Sequence, residues 1–478
     1  MRVLFLASEA TPYIKVGGLG DVAGELPPAL LELGLDIRLA LPLHPQIDRN
    51  RLDLKPIAEV NLPRASGVQP TQVFLSERNS PAVYWIDGKP VRGAQAIYGD
   101  PALDAEKYTF FSLAALAACK VDGWRPDVVH ANDWHTAPAI SWLEMHRAAD
   151  RFWAEAATLL VVHNLAFLGA GGQAALQAYG IPPSDDIHLP EWARGLPLPH
   201  GLASADWLGT VSPGYAREIQ TAEFGCGLER FLKARNDRIV GILNGLDMHT
   251  WDPKADRALD AGYSWDSLDV RRGQKRTLTV ELGLGARETP PLIGMITRLD
   301  HQKGVDIALE ALGLVLEADW NFVLLGTGDP LLEQRGRDFA QAHPERVVFI
   351  DRFDPRLARR IYAGADMLLV PSRYEPCGLA QMIGMRYGCV PIVRATGGLK
   401  DTVVDYSSAG DGVGFVFEPA DPQALSDAVR RALVAYRDRR RWTGLQRRGM
   451  KTDFSWDRSA HLYADLYHRA KPRQGRDV

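Results

Sequence analysis

The stretch MRVLFLASEATPYIKVGGLGDVAGELPPALLELGLDIRLALPLHP, residues 1–45, carries the first decision about the fold. Val3 to Ala7 is a short apolar run, the pattern of a parallel strand buried on both faces. A glycine-rich turn from Lys15 to Gly20 follows. Leu26, Leu30, Leu31 and Leu33 then fall at helical spacing, and Ile37 to Leu41 is a second apolar run. Strand, loop, helix and strand in that order begin a doubly wound α/β domain.

The alternation continues outward from that start. Ala82 to Ile86, Val128 to His130, Thr158 to His163 and Trp207 to Val211 read as further strands, with helical segments such as Tyr108 to Cys119 between them. Past the middle the pattern returns at Leu292 to Ile296, Phe322 to Leu325, Val347 to Ile350, Met367 to Val370 and Pro391 to Val393. A chain of 478 residues is too long for one hydrophobic core. The expectation is α/β: two Rossmann-like doubly wound domains facing across a deep cleft, with ligands at the carboxyl ends of the strands. The boundary falls at Asn244-Gly245, giving residues 1–245 and 246–455, and the polar, proline-interrupted Asp252 to Arg257 reads as linker. Residues 456–478 remain, with a last helix over Trp456 to Arg469 that can pack on either domain.

A net charge of -4 with 24% charged residues supplies no basic field for nucleic acid or for a membrane surface. The four cysteines, Cys119, Cys226, Cys377 and Cys389, stand far apart without a C-x-x-C pair, so neither a zinc site nor a disulfide framework is expected. The apolar run at the N-terminus turns polar at Ser8 and Glu9, too early for a signal peptide or a membrane span. The reading is a cytoplasmic protein with no cofactor. Oligomeric state is not legible.

Four segments carry chemistry. Lys15, Gly17, Gly18 and Asp21 stand at a helix start, where free N–H groups, the helix dipole and the lysine charge favour a phosphate. A flexible loop is the bland alternative. A nicotinamide fingerprint through Gly18, Gly20 and Gly24 is disfavoured by its spacing. Arg298 and Lys303 follow a strand in a loop suited to clamping a diphosphate, the arginine as a bidentate fork and the lysine as a point charge. Glu375 also follows a strand, and Thr396, Gly397 and Gly398 open a helix. Taken singly, these segments read more readily as flexible or solvated loops.

Taken together, the segments resemble bacterial glycogen synthases and plant starch synthases, retaining glycosyltransferases of the GT-B fold. Lys-x-Gly-Gly-Leu at Lys15, Pro126 to His135, His163-Asn164-Leu165-Ala166, Thr210 to Pro213 with Tyr215 to Glu218, and Leu243 to Asp247 carry the likeness in the first half. Thr297 to Leu299 through Gln302-Lys303-Gly304, Pro371 to Leu379 and Thr396 to Asp401 carry it in the second. The resemblance implies glucose transfer from ADP-glucose to the non-reducing end of an α-1,4-glucan, with retention of configuration. It implies catalytic roles for His163, Arg298, Lys303 and Glu375. Substrate contacts are expected from Lys15, Gly17, Gly18, Asp21, Glu9, His135, Asn164, Asn244, Cys377, Gly378, Leu379, Thr396, Gly397 and Gly398. It also implies that the last helix returns to the N-terminal domain, and no metal is expected because no Asp-x-Asp pair ends a strand. Cys377 reads as a small packing residue, and the basic run Arg437 to Arg441 as a solvated helix face.

Two departures stand out. Pro190 to Gly201 lacks the lysine that the family carries before the glycine, and Leu168 stands where a glutamine is common. Both fall in the half expected to hold the acceptor. Alternative readings are therefore a related retaining transferase acting on a small sugar or sugar phosphate, or a catalytically weak glucan-binding protein.

Overall fold

The computed structural model of the protein describes residues 1–77, 81–284, 290–406 and 412–471. The predicted terminal segment 456–478 therefore runs outside the described residues at 472–478. The chain divides into two compact units, Met1–Gly245 with Trp456–Val478, and Leu246–Ser455.

The first unit is built on a nine-stranded sheet. Its strands are β1 (Arg2–Leu6), β2 (Asp36–Pro42), β3 (Lys55–Arg64), β4 (Gly67–Ser76), β5 (Ala82–Gly88), β6 (Val128–Asn132), β7 (Ala157–Val162), β8 (Trp207–Thr210) and β9 (Ile239–Gly241). They lie in the order β3-β4-β5-β2-β1-β6-β7-β8-β9. From β5 to β9 all pairings are parallel, and β6 and β7 are buried along their whole length, as their unbroken apolar runs require. Two strands at one side of the sheet depart from the parallel pattern. β3 and β4 form an antiparallel hairpin, and β4 pairs antiparallel with β5. Their solvent-facing residues and the prolines Pro56, Pro63 and Pro70 break the apolar runs that mark the other strands.

The second unit has a six-stranded, wholly parallel sheet. Its strands are β10 (Leu292–Ile296), β11 (Asn321–Leu325), β12 (Val347–Ile350), β13 (Met367–Val370), β14 (Val390–Arg394) and β15 (Phe415–Phe417), in the order β12-β11-β10-β13-β14-β15. One apolar core joins this sheet to the helices Val305–Gly313 and Pro422–Arg437 through Trp320, Phe322, Leu309, Val429 and Trp442. Asp252 to Arg257 is turn rather than helix, and it is tied down by ion pairs from Arg359 to Asp256 (2.9 Å) and Arg386 to Asp252 (3.0 Å).

The terminal helix, Trp456–Ala470, packs within the first unit. The Trp456 indole N–H donates to Glu25, and Gly245 leaves room for that ring because a β-carbon there would press into it. Deeper in, the Tyr467 hydroxyl lies 2.6 Å from His130 Nδ1, both residues fully buried, and Lys471 pairs with Asp127 at 2.8 Å. A buried polar contact of this kind costs most when one partner is removed. Tyr467→Phe is expected to cost about 1–3 kcal/mol, read as a lower urea midpoint for unfolding of the first unit; an unchanged midpoint would show that the helix is held by apolar packing alone.

Candidate active site

Parallel strands share one direction, so the residues that follow them gather at one edge of the sheet. In the first unit, Glu9 follows β1, Asp133 and His135 follow β6, His163 and Asn164 follow β7, and Asn244 follows β9. β1, β6 and β7 are neighbours in the sheet, which brings Glu9, Asp133 and His163 to one edge although they are far apart in sequence.

Glu9 is the organiser of this edge. Its carboxylate accepts the N–H groups of Val16 and Gly17 (3.1 Å to Oε2 for the latter) and the Tyr98 hydroxyl (3.0 Å). It is buried, so the first N–H groups of the glycine turn are already held by an internal carboxylate. The helix itself runs over Gly18–Glu32 with Gly17 at its cap. Lys15 bonds to Asp21 at 2.6 Å. Burial raises the Asp21 carboxyl above its ordinary value, while the Lys15 ammonium draws it back.

Around β6 and β7 the backbone is locked by Asp133. Its φ of 55° is unusual for a residue with a side chain, and it is sustained because its Oδ1 accepts the His163 N–H (2.7 Å) and the Asn164 N–H (3.3 Å). Burial pushes the Asp133 carboxyl up to about 7 against those two hydrogen bonds, and the Glu9 charge adds to the rise. His163 is half-buried as a residue, and its Nε2 lies 2.8 Å from Asn132 Oδ1. The surrounding protein lowers its pKa to about 3, so the imidazole is neutral at physiological pH. His135 lies deeper. Its ring is enclosed by Trp134, Tyr108 and Tyr98 at centroid distances of 4.2, 4.7 and 4.9 Å, and burial holds it neutral. It was expected at the substrate, yet the structure surrounds it with aromatic rings. Asn244 is buried as well, and its Oδ1 has no hydrogen-bond partner among the described residues.

In the second unit the equivalent edge carries Arg298 and Lys303 after β10, Glu375 to Leu379 after β13, and Thr396 to Gly398 after β14. Lys303 Nζ and Glu375 Oε2 are 2.6 Å apart, and the Ser372 hydroxyl donates to the same oxygen at 2.9 Å. Arg298 extends from the same loop with its side chain 71% exposed, paired to Asp300 at 3.2 Å. The loop backbones are packed too tightly for side chains. Gly304 and Gly397 have φ of 66° and 44°, and β-carbons there would collide with the carbonyls of Pro371 and Glu375. Gly398 donates its N–H to the Glu375 carbonyl (3.1 Å), which fixes one loop on the other. The helix that Thr396 caps spans only Gly397–Thr402. Cys377 is buried, Gly378 has φ of 74°, and Leu379 caps the helix Ala380–Arg386. Arg439, Arg440 and Arg441 are exposed at the start of the helix Arg439–Lys451.

Asn132, Asp133 and Tyr98 belong to this arrangement and were not singled out in the sequence. Asp133 lay inside a quoted motif, and only its backbone angle and two N–H donors reveal its part. A Gly326-Thr327-Gly328 turn after β11 was missed too; it lies against Leu299, whose N–H donates to Thr327 O at 3.0 Å. Two open hollows of about 660 and 580 Å³ flank the terminal helix, the first lined by Ile242, Leu462 and Asp465, the second by Arg147, Asp206 and Trp207. Neither is lined by a predicted site residue. Among the described residues no three histidine, cysteine or acidic side chains are grouped to hold a metal, and no helix is long and apolar enough to cross a membrane.

Residues 2–234 match the family model described as the starch synthase catalytic domain, and residues 283–447 match glycosyl transferases group 1. A glycogen synthase of Anaeromyxobacter dehalogenans (strain 2CP-C) is 43% identical over 99% of this chain and 100% of its own length. Another, from Anaeromyxobacter sp. (strain Fw109-5), is 44% identical over 98% of this chain and 99% of its own. The catalytic domain of Starch Synthase IV from Arabidopsis thaliana, solved bound to ADP and acarbose, superposes with a TM-score of 0.89 at 32% identity, covering 99% of both chains. Two parallel-sheet α/β units of this kind define a glycosyltransferase of the GT-B fold. The chain belongs to the glycogen synthase and starch synthase family.

The buried histidines of the first unit set its expected pH response. His44, His130 and His163 are lowered by burial to about 4, 3 and 3, against about 6.5 when unfolded. Below 6.5 the unfolded chain binds those protons more readily, so their stabilisation is lost as pH falls. Asp133, raised to about 7, works the other way, its contribution being full below the unfolded carboxyl value and lost as pH rises toward 7. Three groups outweigh one, and urea-unfolding stability is expected to fall between pH 6.5 and 4. Asp133→Asn should steepen that fall; a slope equal to the parent's would mean that Asp133 is ionised throughout.

Proposed function

We propose that this protein transfers glucose from ADP-glucose to the non-reducing end of an α-1,4-glucan with retention of configuration. The first unit supplies the acceptor contacts and the second the nucleotide-sugar contacts. The observation that carries the reading is the Lys303–Glu375 pair (2.6 Å) beside exposed Arg298 at the carboxyl edge of the second sheet. Departure of a diphosphate places growing negative charge on the leaving oxygen, and fixed cations at that point stabilise the transition state more than the bound substrate. Arg298 has the geometry for a bidentate grip on the phosphates, and the Lys303 ammonium has donors to spare beyond the one directed at Glu375. Glu375, anchored by Lys303 and Ser372, is assigned the donor sugar, with Cys377, Gly378 and Leu379 beside it. The helix start formed by Thr396, Gly397 and Gly398 is assigned to the diphosphate side of the donor.

His163 is assigned to the transferred glucose. A neutral imidazole, braced by Asn132, can hydrogen-bond a sugar hydroxyl without placing a second positive charge beside a developing oxocarbenium ion. Lys15, Gly17, Gly18 and Asp21, with Asn164 and Asn244, are assigned to donor and acceptor positioning. Glu9 and His135 are placed one layer back, holding the glycine turn and packing the strand ends. The ADP-bound starch synthase relative supports ADP as the nucleotide. The mechanism as proposed needs no divalent metal, and four unpaired cysteines favour the cytoplasm.

ADP release from ADP-glucose is expected to depend on glycogen, to exceed UDP release from UDP-glucose and to survive EDTA. Arg298→Ala and Lys303→Ala should each lower kcat/KM by about tenfold to a hundredfold or more, since each removes a charge-assisted hydrogen bond to the leaving group. Transfer to glucose phosphates but not to glycogen would replace the acceptor half of the proposal.

A further inference from the structure

The turn Gly326-Thr327-Gly328 after β11 packs against both neighbours of Arg298. The Thr297 N–H donates to the Leu325 carbonyl at 3.1 Å and the Leu299 N–H to the Thr327 carbonyl at 3.0 Å. The Asp329 N–H donates in turn to the Leu299 carbonyl at 2.6 Å. Leu299 and Gly328 thereby continue the parallel pairing of β10 and β11 beyond the strand ends. The approach is closer than side chains permit. A β-carbon on Gly326 would collide with the Thr297 carbonyl, and one on Gly328 with the Leu299 carbonyl. Arg298 thus stands between two tethered residues. Its side chain is mostly exposed and pairs with Asp300 at 3.2 Å. An exposed guanidinium gains little from packing, so its reach is set by the backbone beneath it.

Glu333 holds the turn in place. It lies in the helix Pro330–Ala342, which the turn enters. Its Oε1 accepts the Thr327 hydroxyl at 2.6 Å and the Gly328 N–H at 3.0 Å. Those two bonds, the Thr327 hydroxyl foremost, keep its carboxyl below the ordinary glutamate value, so it is ionised at neutral pH. Helix capping does not account for the arrangement. The cap position is filled by Asp329, whose Oδ1 accepts the Leu331 N–H at 2.7 Å. Glu333 instead reaches back past the cap to the two residues that meet Leu299. Arg337, one turn further on, lies 3.7 Å from the other carboxylate oxygen and leaves Oε1 to the turn.

We infer that Glu333 is a positioning residue for the transfer reaction: it locks the Gly326-Thr327-Gly328 turn, and the turn sets where Arg298 meets the leaving diphosphate. Its carboxylate acts through the backbone and touches no substrate. A bidentate grip on phosphate is directional, so a small shift of the arginine's base weakens it in the transition state. The inference rests on the assignment of Arg298 to the diphosphate, as proposed above.

The test is a double-mutant cycle on kcat/KM for ADP-glucose with glycogen saturating. Glu333→Ala is expected to lower kcat/KM about tenfold in the parent and by less than about twofold in an Arg298→Ala background. KM for glycogen should stay unchanged. Glu333→Gln, whose amide oxygen can accept both bonds, should keep most of the parent's activity. Thr327→Val should lower kcat/KM as well, and combining it with Glu333→Ala should cost less than the two single losses together. Amide exchange read by mass spectrometry gives a measure apart from turnover, with faster exchange over residues 297–300 expected in Glu333→Ala. Equal losses in both backgrounds would make Glu333 a purely structural residue and overturn the inference. So would parental kcat/KM in Glu333→Ala, or unchanged exchange over 297–300. If Arg298→Ala itself keeps the parent's turnover, the assignment of Arg298 fails; faster exchange in Glu333→Ala would then leave the hold on its loop standing.

Discussion

A parallel strand cannot be followed by a tight hairpin back to its parallel neighbour, so the chain must leave the sheet at the carboxyl end and return by a crossover. That constraint does most to place the chemistry here. It sends Glu9, Asp133 and His163 to one edge in the first unit, and Lys303, Glu375 and Gly398 to one edge in the second. None of these residues is near its partners in sequence. The Lys303–Glu375 pair joins two loops 72 residues apart because β10 and β13 are adjacent and parallel. The hairpin of β3 and β4 is the exception that fits the rule, since an antiparallel pair can turn tightly, and no candidate catalytic residue lies on it.

Once the loops are gathered, they must be held at atomic precision, and the two units solve this differently. The second uses backbone proximity. Glycines at 304, 397 and 398 let three loops approach until carbonyls occupy the space of absent β-carbons, and a hydrogen bond between Gly398 and Glu375 closes the contact. The first uses buried side chains. Glu9 ties the glycine turn to Tyr98, and Asp133 ties the end of β6 to the start of the loop after β7. Buried polar groups are costly unless satisfied, so these carboxylates define one loop arrangement and penalise the alternatives. The glycine turn thus differs from a plain phosphate cradle, because part of its donor set is already engaged by Glu9.

Strand runs that are apolar on both faces were legible with little error. Leu292 to Ile296 and Val347 to Ile350 in the sequence are β10 and β12 residue for residue. What escaped were strands whose pattern is diluted. β3 carries Pro56, Glu59 and Pro63, β9 is only Ile-Val-Gly, and β15 only Phe-Val-Phe. Their place is set by neighbours in the sheet rather than by their own residues. The site shows the same division. Arg298, Lys303 and Glu375 could be chosen from charge, loop position and resemblance, but that Lys303 and Glu375 touch could not. Glu9 and His135, expected as substrate contacts, both follow strands at this edge, and how deep each lies depends on burial, which only the folded chain defines.

The departures from the family fall where this logic leaves freedom. Residues that fix loop on loop, such as Gly304, Gly397 and Asp133, cannot change without moving the carbonyls and N–H groups they contact. Segments past the first turn beyond a strand carry no such burden, and Pro190 to Gly201 and Leu168 lie there. Their backbone is secured by its own hydrogen bonds, Ser184 to Arg194 and Leu198 to Leu168, so their side chains can vary without disturbing the strand ends. A polymer-extending enzyme needs just this separation. The bond-forming groups must stay fixed, while the surface that holds the rest of the acceptor can be reshaped for the length and branching of the chain it meets.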